Sequence, residues 1–234
     1  NRAIRIADSP VLYRRPTRLP PNFDFQRVEG MLLGLAIGDA LGAPTEGMDP
    51  DDRRAEFGEI RDYMPSRRRE LGYRGAGTDD TQMAFWTVEH LIENGGMVPD
   101  RLLALFSEEQ IIGIGGSVNQ ALANYREGLP WQLAGVDSMG NGALMRIAPV
   151  VLPYLREPHP SLYADAALGA MLTHNSGGNT ATCVAFIDLL WRLLSRSSPP
   201  EPEWYIETFC ATAGELEDES EYEPRAPAHS DYRG

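Results

Sequence analysis

An all-α fold, a compact multi-helix bundle, is predicted from three observations. Apolar residues recur at helical spacing in segment after segment, and alternating period-2 runs are absent. The one β-branched apolar run with the look of a strand, Val150-Val151-Leu152, is bracketed by Pro149 and Pro153, which argues against one. The 234 residues, 42% of them hydrophobic, suffice for one sizeable core.

The elements follow in chain order. Residues 1–22 hold four prolines and five arginines and read as an extended N-terminal arm. From Phe23 the pattern turns helical, and residues 23–195 form the expected helical domain. Its first helix, "FQRVEGMLLGLAIGDALGAPTEG", places glycines at 30, 34, 38 and 42 on one face. A helix-interior glycine costs about 1 kcal/mol, so four in register predict another backbone packed closely there. Gly42 to Pro44 end that helix. Residues 45–77, rich in charge, glycine and proline, read as a long loop of the kind that carries function. Helical patterns resume at 80–93, 101–112, 117–126, 161–173 and 179–195, and residues 196–234 read as a linker and an acidic low-complexity segment.

Composition excludes several classes. A formal net charge of −13 argues against binding nucleic acid through its phosphates. All 21 basic residues are arginine, which reads as a genomic base-composition bias. No apolar run reaches the length of a membrane span. Cys183 and Cys210 lack metal-ligand spacing, and a reduced cytoplasmic protein is expected.

The chemistry concentrates in "GTDDTQMA", where Asp79 and Asp80 stand between two hydroxyls at the start of a helix. Two readings stand. Thr78 and the two acids cap the helix, or they offer hard oxygen ligands to Mg²⁺, Mn²⁺ or Ca²⁺. Asp39, interrupting the apolar first helix, and Glu46 beyond its end form a second acidic position able to converge on the first. Neither stretch has a basic residue to neutralise it, and buried carboxylates need a partner or a metal.

The segments "GMLLGLAIGDALGAPTEG", "FGEIRDY", "GTDDTQMA", "SMGNGALMRIAPV" and "THNS" stand in the order and approximate spacing of the ADP-ribosylglycohydrolase family. The chain resembles that family, of the dinitrogenase-reductase-activating type, over residues 26–195. The resemblance implies an all-helical enzyme that uses two divalent cations, Mg²⁺ or Mn²⁺. Its substrate would be an ADP-ribosylated protein or a small-molecule ADP-ribose conjugate, cleaved between ADP-ribose and acceptor. Thr78, Asp79 and Asp80 match the first metal-ligand cluster, and Glu46, Asp79 and Asp80 are the implied catalytic acids. Gly113, Gly115, Gly116 and Ser117 match a glycine loop near the diphosphate, where bare N–H groups at a helix start suit an anion. Ser138, Met139, Gly140, Asn141 and Gly142 match a loop contacting the ribose, and His174 matches a histidine that positions ADP-ribose. Without the resemblance these read as an ordinary turn, an Asn-Gly turn and a structural histidine.

The chain departs from the family in one respect. The second ligand cluster, Gly-Asp-x-Asp-Thr on a late helix, has no counterpart after Gly178. A fragment, or a natural truncation that reads ADP-ribose without cutting it, is the expectation that follows. Affinity without turnover would mark such a non-catalytic binder. A helical metal phosphohydrolase would carry a His-Asp dipeptide, which is absent. A purely structural descendant would bind neither metal nor nucleotide.

Overall fold

The computed structural model describes residues 3–65 and 74–217. The described residues form helices and turns with no strand, only two isolated bridges, Pro65 with Arg74 and Val136 with His174. The all-α expectation holds. The α-helices are α1 (Gln26–Gly42), α2 (Pro50–Phe57), α3 (Asp79–Asn94), α4 (Pro99–Glu108), α5 (Gly116–Arg126), α6 (Trp131–Ala134), α7 (Ser161–Met171), α8 (Gly177–Leu194) and α9 (Pro202–Gly214).

One segment bears out the sequence reading and two differ from it. Val150-Val151-Leu152 lies in a 3₁₀ stretch, Ala148–Tyr154, where burial of Val150 and Val151 explains the apolar run without a strand. The expected 45–77 loop contains α2. Asp49 caps it by accepting from the Asp51 N–H, Pro50 sits at its first position, and Gly58 ends it at φ +61. No residue of α2 is buried, so it has no apolar face to read. Within the expected linker, α9 forms and buries Thr212 and Ala213, and Leu216 just beyond its end is buried too. The rest of that acidic segment, from residue 218, and residues 66–73 lie outside the described residues.

The core has two parts. One gathers α7, α8 and the 148–154 stretch around Tyr163, Ile187 and Trp191, with Val11 of the N-terminal arm packed in. The other joins α3, α4 and α5 through Met83, Leu102, Phe106 and Leu122. A hub at Asp188 ties distant segments together. Its carboxylate accepts from Arg14 of the arm at 2.9 Å, Tyr163 of α7 at 2.8 Å, Arg192 at 2.9 Å and Thr212 of α9 at 2.9 Å. Burial pushes its pKa up, but these donors and the two guanidinium charges outweigh that, and the net shift is downward.

α1 is the exception to this packing. Ala40 is its one buried residue, while Leu33 and Ile37 are 51% and 46% exposed. A side-chain carbon added at Gly30, Gly34, Gly38 or Gly42 would meet nothing within 4 Å. The expected close backbone is therefore not supplied by the described residues. Among those residues, no helix is long and apolar enough to cross a membrane.

Candidate functional site

The site is built where the C-terminal end of α1 meets the start of α3. Asp39 makes the joint. Its Oδ2 accepts from the Thr78 N–H at 2.6 Å, the Thr81 N–H at 3.1 Å and the Thr81 hydroxyl at 2.6 Å. Its Oδ1 accepts from the Thr78 hydroxyl at 2.8 Å. The first turn of α3 is thus capped from another helix, and Thr78 makes no side-chain capping bond to its own helix. Gly77 permits the approach, since a side-chain carbon there would lie 2.8 Å from Thr81 Oγ1 and 3.1 Å from Asp39 Oδ2.

Asp39, Glu46, Thr78, Asp80 and Asn141 line one cleft of about 300 Å³ with Gly38, Gly42, Ala43 and Thr45. The convergence of the two acidic positions expected from sequence is therefore realised. Asp79 is buried beside them and is oriented by the Thr78 side chain and the Gly115 N–H. Burial first, with the Glu46 charge adding to it, raises its pKa above the ordinary carboxylate value. Asp80 is raised to about 6, by burial first and then by the charges of Asp39 and Asp79. Among the described residues no arginine lines this cleft.

Asn141 reaches the cleft on a braced loop. Ser117, at the start of α5, donates to the Ser138 hydroxyl at 2.8 Å, which in turn accepts from the Gly140 N–H at 3.1 Å. Ser176 donates to the Ser138 carbonyl at 2.9 Å, and the Asn179 amide of α8 donates to the Gly140 carbonyl. Met139 is 52% exposed on the outside of this loop. His174 packs beneath it: a side-chain carbon at Gly142 would come within 2.7 Å of the imidazole Cε1. Fully buried Arg146 donates to the Thr173 hydroxyl at 2.8 Å, and Thr173 Oγ1 lies 2.9 Å from His174 Nδ1. Thr173 therefore links the buried guanidinium to the imidazole, and the His174 tautomer sets which of Oγ1 and Nδ1 donates between them. Burial, and then the Arg146 charge, lowers the His174 pKa to about 4, so the ring is neutral.

The sequence-predicted residues thus divide. Glu46, Thr78, Asp80 and Asn141 share the cleft; Asp79 lies against it; Ser138, Gly140, Gly142 and His174 shape the adjoining loop. Gly113 turns the chain at φ +85 before α5, and Gly115 and Gly116 stand exposed at that helix start. Sequence reasoning missed Thr81, Arg146, Ser176 and Asn179. Thr81 carries no capping-box signal, because a threonine stands where that motif has Glu or Gln, and its partner Asp39 is 42 residues away.

The donors fit a hard cation. Hydroxyl and carboxylate oxygens line the cleft without a nitrogen or sulfur side chain that would favour zinc. Mutually repelling carboxylates with a raised pKa, and no basic side chain among the described lining residues, are the electrostatic setting a divalent ion relieves. The set is partial, because among the described residues no group of three or more His, Cys, Asp or Glu is placed to hold an ion by itself.

A family model described as ADP-ribosylglycohydrolase matches residues 20–231. The chain is 37% identical over 173 residues to a protein of Archaeoglobus fulgidus, covering 68% of this chain and 54% of that one. It is 29% identical over 185 residues to the ADP-ribosylarginine hydrolase Tri1 of Pseudomonas putida, covering 74% of this chain and 48% of that one. A solved structure described as an ADP-ribosylglycohydrolase-related protein complex superposes with a TM-score of 0.59 at 34% identity, covering 72% of this chain and 56% of that chain. The chain spans about half the length of the curated relatives it matches.

Proposed function

Because the chain belongs to the ADP-ribosylglycohydrolase family, we propose that it acts in the hydrolytic release of ADP-ribose from a modified acceptor, a protein side chain or a small conjugate. The observation that carries this reading is the single cleft shared by Glu46, Thr78, Asp80 and Asn141. Two divalent cations, Mg²⁺ or Mn²⁺, belong to the same proposal, with Thr78, Asp79 and Asp80 holding one side. When bound there, such ions would anchor ribose hydroxyls and acidify a water.

The chain's own residues have separate tasks in this proposal. Asn141 hydrogen-bonds the ribose next to the scissile bond, on a loop kept rigid by Ser117, Ser176 and Asn179. Glycines on that loop let the sugar approach the backbone. Neutral His174 supports it from below without adding positive charge beside an oxocarbenium-like centre. Glu46 takes the proton of the attacking water and passes it to the departing acceptor, so that the hydroxyl ends on ADP-ribose and the proton on the acceptor. Gly115 and Gly116 offer the diphosphate a helix start, with the Gly115 N–H shared with Asp79. A cytoplasmic site of action goes with this reading, and is supported by two unpaired thiols, Cys183 and Cys210.

The test is release of free ADP-ribose from arginine- and serine-linked substrates with Mg²⁺ or Mn²⁺, an EDTA control, and the Asp79→Asn/Asp80→Asn variant. Metal-dependent release that the variant abolishes is expected. Undiminished turnover in the variant would remove these residues from the mechanism. A second reading, a non-catalytic ADP-ribose binder, is favoured by the one-sided set of acids. It predicts ADP-ribose affinity with no release.

A further inference from the structure

Asn175 stands between His174, which packs beneath the site loop, and Ser176, which holds the Ser138 carbonyl. Its side-chain amide bonds the N-terminal arm. The Arg5 N–H donates to Asn175 Oδ1 at 3.2 Å, and Asn175 Nδ2 donates to the Ala3 carbonyl at 2.8 Å. A side-chain amide offers the same donor and acceptor as a peptide group, so the two bonds act as a short backbone pairing. On its other side the Asn175 N–H donates to the Val136 carbonyl at 2.8 Å, and the Val136 N–H donates to the Thr173 carbonyl at 3.1 Å. The Arg5 guanidinium pairs with Asp137, the residue before Ser138. Segments 3–5, 173–176 and 136–138 are thus stitched together, and the last two carry His174, Ser176 and Ser138.

The arm is fastened along its length as well. The Ala7 N–H donates to the Leu216 carbonyl at 3.2 Å, Val11 is buried in the core, and the Trp191 indole donates to the Thr17 carbonyl at 2.9 Å. Ala3 and Arg5 therefore hold Asn175 from an anchored base. The family model matches from residue 20, so this part of the arm lies outside the matched residues. We propose that Asn175 is a positioning residue, which couples the arm to the Ser138–Gly142 loop and so sets where Asn141 stands in the cleft. The exposed ion pair of Arg5 with Asp137 adds little by itself; the reciprocal amide bonds carry the coupling. The inference rests on the reading of this loop as the ribose contact, and the two fail separately in the test.

The test compares Asn175→Ala with Arg15→Ala, both in the full chain. Arg15→Ala cuts a different fastening of the same arm, the 2.9 Å bond from Arg15 Nε to the Pro158 carbonyl. Amide hydrogen exchange and calorimetric titration with ADP-ribose are read on the wild type and both variants. Asn175→Ala should speed exchange at Val136 and Gly140 about tenfold, the net weight of two partly exposed hydrogen bonds, and weaken ADP-ribose binding by a similar factor. Exchange in α4 should stay as in the wild type. Arg15→Ala should leave both the loop and the affinity unchanged. Unchanged exchange in Asn175→Ala overturns the proposal. So does equal loosening of the loop by Arg15→Ala, since the arm would then act through general stability alone. A loosened loop with wild-type affinity also overturns the positioning role. A wild type that binds no ADP-ribose removes the ribose contact, while exchange at Val136 and Gly140 still decides the coupling.

Discussion

Replacing Asp39 by alanine removes the acceptor for two backbone N–H groups and two hydroxyls at once. The hydroxyls of Thr78 and Thr81 can turn elsewhere, but the two N–H groups in the first turn of α3 cannot. An orphaned buried donor costs about 1–3 kcal/mol. Asp39 is half-buried beside an open cleft, so water recovers part of that loss. We expect a destabilisation of about 3 kcal/mol, or a fall in Tm of roughly 6–12 °C for a chain of this size. Asp39→Asn keeps one acceptor oxygen in place and should lose about half as much. The same Asn variant removes a charge that holds Asp80 up, so the Asp80 pKa should drop below about 6 in a carboxyl NMR titration. Thermal unfolding in EDTA reads the stability. A Tm within 3 °C of wild type for the Ala variant would refute the inter-helix cap, and an unmoved Asp80 pKa would refute the electrostatic account.

Asp80→Asn should act in the opposite direction on the metal-free protein. The raised pKa means the folded chain holds a proton that the unfolded chain has lost, so wild-type stability falls as pH rises from about 4 to about 6. At pH 7 in EDTA the Asn variant should be more stable, by about 1 kcal/mol after solvent screening at this partly exposed site, and titration calorimetry should show weakened Mn²⁺ binding; equal or lower stability counts against the repulsion. His174 has the reverse sign. Its folded pKa of about 4 lies below the unfolded value, so its contribution is complete above pH 6.5 and is lost as pH falls towards 4. Denaturant midpoints of wild type and His174→Gln should differ in pH dependence by about 3 kcal/mol between pH 7 and pH 4, and parallel profiles would contradict a buried neutral imidazole.

The fold class and the long helices were legible because burial leaves a period in the sequence. α8, buried on most of its surface, and α3, with Met83, Thr87 and Leu91 inward, were visible for that reason. α2 was not, since a helix with no buried residue has only its caps to show. α9 was hidden beside two prolines and an acidic run, and its contact with α8 is a tertiary event. At the site, Glu46, Thr78, Asp79 and Asp80 were readable as oxygen-bearing residues placed oddly against apolar helices. The role of Asp39 was only half legible: its presence on α1 is a sequence fact, but its bonds to Thr78 and Thr81 span 39 and 42 residues. Arg146 was illegible, because a cation satisfied by a carbonyl, a hydroxyl and the face of Phe106 has no acidic partner to look for.

The hub at Asp188 also sets a schedule for synthesis. Arg14 emerges from the ribosome 174 residues before its carboxylate partner, and at about 5–20 residues per second the arm waits roughly 9–35 s. During that interval Val11 has no α7 or α8 to pack against, and the Thr17 carbonyl has no Trp191 indole to receive. This arm is therefore among the last of the described segments to dock. Its arginines and prolines suit a stretch of chain that must stay soluble and unpaired until the bundle exists to hold it.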